Sequence, residues 1–249
     1  MITVRTGCLT ILPVIALFGL LSAPANAFEA EHKLGNWIGA TSALRYSDKW
    51  SLFLQGELRT WETANNLNEL LWRVAGLYDV DKNNKLAFGY VRVDTWPFDS
   101  GYPRKFYENR LYEEYLHKNS FGAGKLKNRF RLEQRWITTS EFGTELSHRI
   151  RWKIAYTHPV NGKLGQPGNW YWTALNEIFV DLDANGYWFF LDGGKKGLNQ
   201  NRLLGGFGRQ LGPTSKLQLS VLWQHRPEAD FWRLVLGYSY NFDFRPEGD

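Results

Sequence analysis

The chain has 249 residues, 16% of them aromatic and 12 of them tryptophan, with 30 Lys+Arg against 25 Asp+Glu and a net charge of +5. This length allows a single large domain. The isoelectric point near 9.2 brings nucleic acid to mind, but no basic cluster is present to follow a phosphate backbone, and the export signal described next argues against such a partner.

Residues 1–27 read as a secretory signal peptide. Arg5 supplies the positive start. Leu9 to Leu21 is an apolar run broken by Thr10, Pro13 and Gly19, and Ala25-Asn26-Ala27 is a small-x-small cleavage site. The run is too short to span ~30 Å of hydrocarbon comfortably. The mature chain then starts near Phe28, and residues 28–249 form one domain. The only cysteine, Cys8, lies in the signal, so the mature chain carries no disulfide. No later segment offers the ~18 consecutive apolar residues of a membrane helix.

Strand-like runs follow at 36–46, 49–62, 67–79, 84–95, 105–118, 125–138, 144–158, 169–182, 198–211, 215–226 and 230–244. Soluble strands usually run about 5–6 residues, whereas about 9–11 are needed for the hydrocarbon of a membrane. Turn signals separate the runs: Ser47-Asp48-Lys49, Asp81-Lys82-Asn83-Asn84, Gly122-Ala123-Gly124 and Gly212-Pro213-Thr214. Long connections, Pro97 to Arg104 and Asp183 to Gly197, alternate with the short ones. The fold expected is an all-β, transmembrane, antiparallel up-and-down barrel. Eleven runs conflict with the even strand number of bacterial barrels. About 12 strands are therefore expected, with 10 as the alternative. The missing strand is sought in Phe28 to Leu34 or in Tyr187 to Asp192.

Successive strand side chains point to opposite faces. Arg129, Arg131, Glu133 and Arg135 share one face and Phe130, Leu132 and Trp136 the other; Arg149-Ile150-Arg151-Trp152 repeats the pattern. Lysines lie mostly at turns and strand ends, while arginines sit mid-strand, where a planar fork suits crowded ion pairs. The charged face is therefore read as the lumen. Its expected members are Glu57, Arg59, Glu69, Arg73, Arg92, Glu108, Arg110, Arg129, Arg131, Glu133, Arg135, Arg149, Arg151, Glu177, Arg202, Arg226 and Arg233. The ring-rich face would meet lipid, with Trp37, Trp50, Tyr78, Trp136, Trp170 and Trp232 as an interfacial girdle. Trp232, Leu234, Leu236, Tyr238, Tyr240, Phe242 and Phe244 give the last run an aromatic edge of the kind the barrel-assembly machinery recognises.

Glu108-Asn109-Arg110-Leu111, Asn128-Arg129-Phe130-Arg131-Leu132-Glu133-Gln134-Arg135, Asn176-Glu177-Ile178-Phe179 and Asn199-Gln200-Asn201-Arg202 together resemble a family of uncharacterised Gram-negative outer-membrane barrels, a domain of unknown function. The resemblance implies a single-domain barrel and carries over no activity.

Two functional readings of the charged wall remain. It is a structural ladder of Arg and Glu, or it lines a porin-like path or small-solute site favouring anions, since rings of Arg and Lys select anions. Outer-membrane lipid and lipopolysaccharide are the expected surroundings, and small anionic solutes the expected ligands. A rim-active lipid-modifying enzyme (lipase or acyltransferase) and a soluble periplasmic ligand-binding barrel are the alternatives. Ser147-His148 is a poor nucleophile–base pair, because neighbours in a strand face opposite ways. No Gly-x-Ser-x-Gly and no metal-ligand spacing is present, so no catalytic residue, metal or cofactor is assigned.

Overall fold

The computed structural model describes residues 33–61, 66–96, 105–183, 196–227 and 230–245. The expected signal peptide and cleavage site, Tyr187 to Asp192 and the connection Pro97 to Arg104 lie outside the described residues. The expected strand Phe28 to Leu34 does so as far as residue 32.

One sheet contains every strand: β1 (Lys33–Arg45), β2 (Trp50–Thr60), β3 (Leu67–Asp79), β4 (Asn84–Thr95), β5 (Phe106–Phe121), β6 (Gly124–Thr139), β7 (Gly143–Pro159), β8 (Trp170–Asp181), β9 (Gly197–Gln210), β10 (Ser215–His225), β11 (Asp230–Tyr240) and β12 (Phe242–Asp243). Each of the first eleven pairs with its chain neighbour, and β11 closes the ring on β1. Eleven long strands thus make the wall. β12 is a two-residue continuation of β11 beyond Asn241, still alongside β1 through Leu44↔Phe242. The closing pair runs parallel, from Lys33↔Phe231 to Thr41↔Ser239, where an all-antiparallel cylinder was expected. An odd number of up-and-down strands leaves the first and last pointing the same way, so this is the closure it requires.

The stagger of the ring follows from the register. Thr157 pairs with Thr173, and the row passes through Gly206, Ser220, Val235, Trp37, Arg59, Glu69, Thr95, Phe106 and Thr139 to Gly143. One circuit therefore returns to β7 fourteen residues away, at 143 instead of 157. With ~3.3 Å per residue and ~4.8 Å between strands, this stagger sets a tilt of about 41° and a wall radius of about 11 Å. Such a lumen is wider than an eight-stranded barrel filled by its own side chains and narrower than an open porin. Side-chain size therefore decides, level by level, whether the interior is filled.

The turns after β1, β3, β5, β7 and β9 share one mouth with the chain end at β12, here the C-terminal mouth. Asp81 caps the β3–β4 turn there, accepting from the backbone N–H groups of Asn83 and Asn84 at 2.7 and 2.9 Å. These bonds, with one from the Asn84 side chain, hold its carboxyl below the usual aspartate range. Gly122 takes φ +57° in the two-residue β5–β6 turn, a conformation a Cβ disfavours. The connections after β4 and β8 lie at the opposite mouth.

Candidate functional site: the charged waist and the lumen

Side-chain phase places β6 and β7 unambiguously. Arg129, Arg131, Glu133, Arg135, Arg149 and Arg151 are buried, while Phe130, Leu132 and Ile150 between them are exposed. The charged face is the inner one. Cross-strand register sets Arg131 opposite Arg151, Arg110 opposite Arg135 and Arg129 opposite Lys153. Like charges directly opposed are destabilising. Bridging carboxylates offset this. Glu133, at 0% exposure, accepts from Arg149 at 2.7 Å, Arg151 at 2.7 Å and Arg131 at 3.3 Å. Glu177 accepts from Arg151 at 2.7 Å and also from Arg129. Glu114 accepts from the Arg131 Nε at 2.7 Å and lies 3.5 Å from Arg129. Glu108 binds Arg110 and Arg135, and Asp181 lies 3.7 Å from Arg135.

A second group sits across the lumen, where Arg59 binds Glu57 and Glu69. Between the groups runs a stack of rings and guanidinium planes. The Arg59 Cζ lies 4.0 Å from the Trp37 ring centre, and the Arg202 Cζ 4.8 Å from the same ring. The other side of Arg202 meets Phe179 at 4.6 Å, and Phe179 meets Arg151 at 4.4 Å. Arg233 is buried beside Trp61 and Phe231. Arg226 stacks on Phe231 at 5.7 Å and acts electrostatically on Glu69. The waist of the barrel is packed: Tyr112 and Phe179 are each 1% exposed.

Below the waist, toward the C-terminal mouth, several inner residues are small. Ala43, Ala155, Gly206, Gly237 and Ser239 face inward there, with Thr41 bonded to Ser239 at 2.8 Å. Inward neighbours such as Gln55, Ala155, Leu175 and Gln218 are partly exposed although they point into the barrel. Water therefore reaches this part of the lumen. Arg73 projects into it with its guanidinium on Phe53 at 4.5 Å, its Nε unsatisfied.

Two expected positions are corrected. Arg92 lies on the outer face, where it bonds Asp94 at 3.0 Å and Asn109 at 3.1 Å and stacks on Tyr107. The inner side of β4 is instead apolar and small. Ala87, Val91 and Val93 are buried there, and a Cβ at Gly89 would strike the Tyr112 ring. Trp37 lies inside, in the stack described above, and not in an outer girdle. The remaining girdle residues are outside. Trp50 and Tyr78 touch at 4.9 Å and Trp170 lies under Arg209 at 5.5 Å, all near the C-terminal mouth. Trp136 and Trp232 lie toward the opposite one. Phe88, Trp72, Phe207, Leu219 and Val221 are exposed between the mouths. The outer wall also carries a polar spot, Gln134 donating to Glu113 at 3.1 Å.

Ser147 faces inward and is buried, whereas His148 faces out and meets Asp183 at 2.8 Å. They cannot act on one another. Among the described residues no group of His, Cys, Asp and Glu has the arrangement of a metal site.

With this geometry in place, comparison with known proteins is informative at the level of family. A family model described as "Protein of unknown function (DUF2490)" matches residues 34–235, from the start of β1 into β11. The chain belongs to this family. The match takes in nine of the eleven wall strands whole, β2 to β10, with all but the first residue of β1 and the first half of β11. No curated protein matches the chain in sequence. Among solved structures, a NanC porin in a rhombohedral crystal form is similar at 10% identity, covering 79% of this chain and 89% of that one, with a TM-score of 0.46.

Proposed function

We propose that the protein is an outer-membrane β-barrel that admits small anionic solutes to a cationic lumen closed at its waist by the Arg/Glu stack. The exterior supports the membrane placement: exposed apolar side chains cover the wall between two belts of rings, far beyond the few hundred Å² a soluble surface carries. The turns after β1, β3, β5 and β9, at the C-terminal mouth, are short, which favours that mouth as the periplasmic one and the long connections after β4 and β8 as the outer ones. Export through a cleaved signal peptide, and recognition of the aromatic last strand by the assembly machinery, belong to the same reading. Lipid and lipopolysaccharide are then the wall's neighbours.

The observation that carries the reading is the sign of the lumen. The carboxylates of the waist are held by arginines. Inward Arg73 and Lys153 have no carboxylate at ion-pair distance among the described residues, although Lys153 lies near enough to feel Arg129, Glu177 and Glu114. A lumen with this excess favours anions. Its filled waist separates it from wide porins. Reversal potentials in a salt gradient across planar bilayers test the proposal. A small conductance preferring chloride over potassium is expected; cation preference, or a large unselective conductance, would overturn it.

A further inference from the structure

The C-terminal mouth carries a feature that the waist does not explain. Lys118 on β5 and Lys127 on β6 are direct cross-strand partners, and both face inward in phase with Glu114 and Arg129. At the waist the opposed pairs Arg131/Arg151 and Arg110/Arg135 are each bridged by a glutamate. Here no carboxylate lies within ion-pair distance of either lysine among the described residues. Lys125 stands one inward step nearer the mouth. Lys85 and Lys216 arrive from β4 and β10; the charges of all four act on Lys127. The stagger of the barrel puts these five Cα atoms within about 5 Å of one height. Among the described residues, Lys85 is the one of the five with an acidic partner, Asp79 at 2.7 Å. Lys118, Lys125 and Lys127 are exposed to water at the lumen's entrance.

We propose that this lysine ring is a capture site for a small multiply charged anion bearing phosphate or clustered carboxylate groups. Opposed lysines repel across a strand pair; a multivalent anion between them turns that repulsion into shared attraction. Lysine suits the task because its ammonium is a mobile point charge with three donors. The small residues above the ring, Ala155 and Gly237, leave space for the bound group below Arg73 and Lys153; a Cβ at Gly237 would meet nothing within 4 Å. The site deepens the anion reading of the lumen and rests on it.

The test uses the full mature barrel in phosphatidylcholine nanodiscs, titrated calorimetrically with inorganic pyrophosphate. Saturable binding that weakens with salt is expected. Lys118→Gln/Lys127→Gln should lose about tenfold or more in affinity, while Lys82→Gln, in the β3–β4 turn, should change it less than twofold. Lys118→Glu, which makes an ion pair with Lys127, is the second variant: it should fold at least as stably as the parent and bind weakly. No saturable binding by the parent, or unchanged affinity in the Lys118 variants, would overturn the site. Lipid phosphates are the other source of this chemistry. Replacing the lipid with phosphatidylglycerol should leave the pyrophosphate affinity unchanged; marked competition would overturn capture from solution. Anion-selective conductance without pyrophosphate binding would sink this site alone, whereas binding without anion selectivity would sink the wider function.

Discussion

Trp37 and Arg202 belong to strands separated by two others around the wall, yet the Arg202 guanidinium lies 4.8 Å from the Trp37 ring centre. The contact spans the lumen inside β10 and β11. It joins the Arg59 group to the Phe179–Arg151 group and so closes the waist. Removing the ring by Trp37→Ala should open a path beside Arg202. An increase of several-fold in single-channel conductance is expected, with anion preference retained. Loss of a large packed side chain also costs about 3–5 kcal/mol, which a lower unfolding midpoint in urea would show.

Glu133 is the acceptor on which three guanidinium groups converge. Glu133→Gln keeps the shape and removes the charge. Breaking a buried ion network from one side typically costs about 3–5 kcal/mol. The variant barrel should lose its heat-resistant compact form in gel electrophoresis at a clearly lower temperature than the parent.

The outer wall gives a test of what surrounds it. Ile150 is exposed midway along β7 and faces away from the lumen. If that face meets hydrocarbon, Ile150→Arg should cost about 2–4 kcal/mol, measured by reversible folding into liposomes. At a water-exposed position the same change would stay within about 0.5 kcal/mol.

Acid should loosen the chain end. Arg245 binds Asp243 at 2.7 Å and Asp48 at 2.8 Å, tying the segment after β12 to the β1–β2 turn. The Arg245 guanidinium holds the Asp243 carboxyl down at about 2. A lowered carboxylate pKa means a stabilisation complete above the free value near 4 and lost as pH falls toward 2. NMR titration of the Asp243 carboxyl should therefore show its midpoint well below that of a free aspartate, and Arg245→Gln should restore the ordinary value.

Much of this fold is legible in the chain because β6 and β7 alternate charge and ring without a break. Eleven long runs were visible too, and the general preference for even numbers pulled the expectation to twelve. The parallel seam that an odd ring needs leaves no local mark, since parallel and antiparallel edges draw on the same side chains. Arg92 shows where position along a strand misleads. It is mid-strand like Arg131, but Gly89 and Val91 beside it belong to an apolar sector of the lumen around Tyr112, which turns the arginine outward. Trp37 was read as a rim residue from its place near a strand end. Gly35 and Gly39, two residues away on either side, share its inward face, and a Cβ at Gly35 would strike the Thr60 carbonyl and the Arg233 guanidinium. The preference of lysine for strand ends is visible in the sequence, but the convergence of five lysines at one mouth needs the stagger of the closed ring and does not follow from spacing alone.

The central claim is that the guanidinium wall encloses the lumen while the ring-bearing wall faces lipid. Because Cys8 is the only cysteine and precedes β1 in the sequence, single cysteines at Lys127, Leu132 and Ile150, each introduced with Cys8→Ser, can carry a nitroxide in the barrel. In liposomes, labels at 132 and 150 should relax with oxygen and ignore a water-soluble nickel chelate, and the label at 127 should do the reverse. Nickel-accessible labels at 132 and 150, with an oxygen-accessible label at 127, would contradict the account.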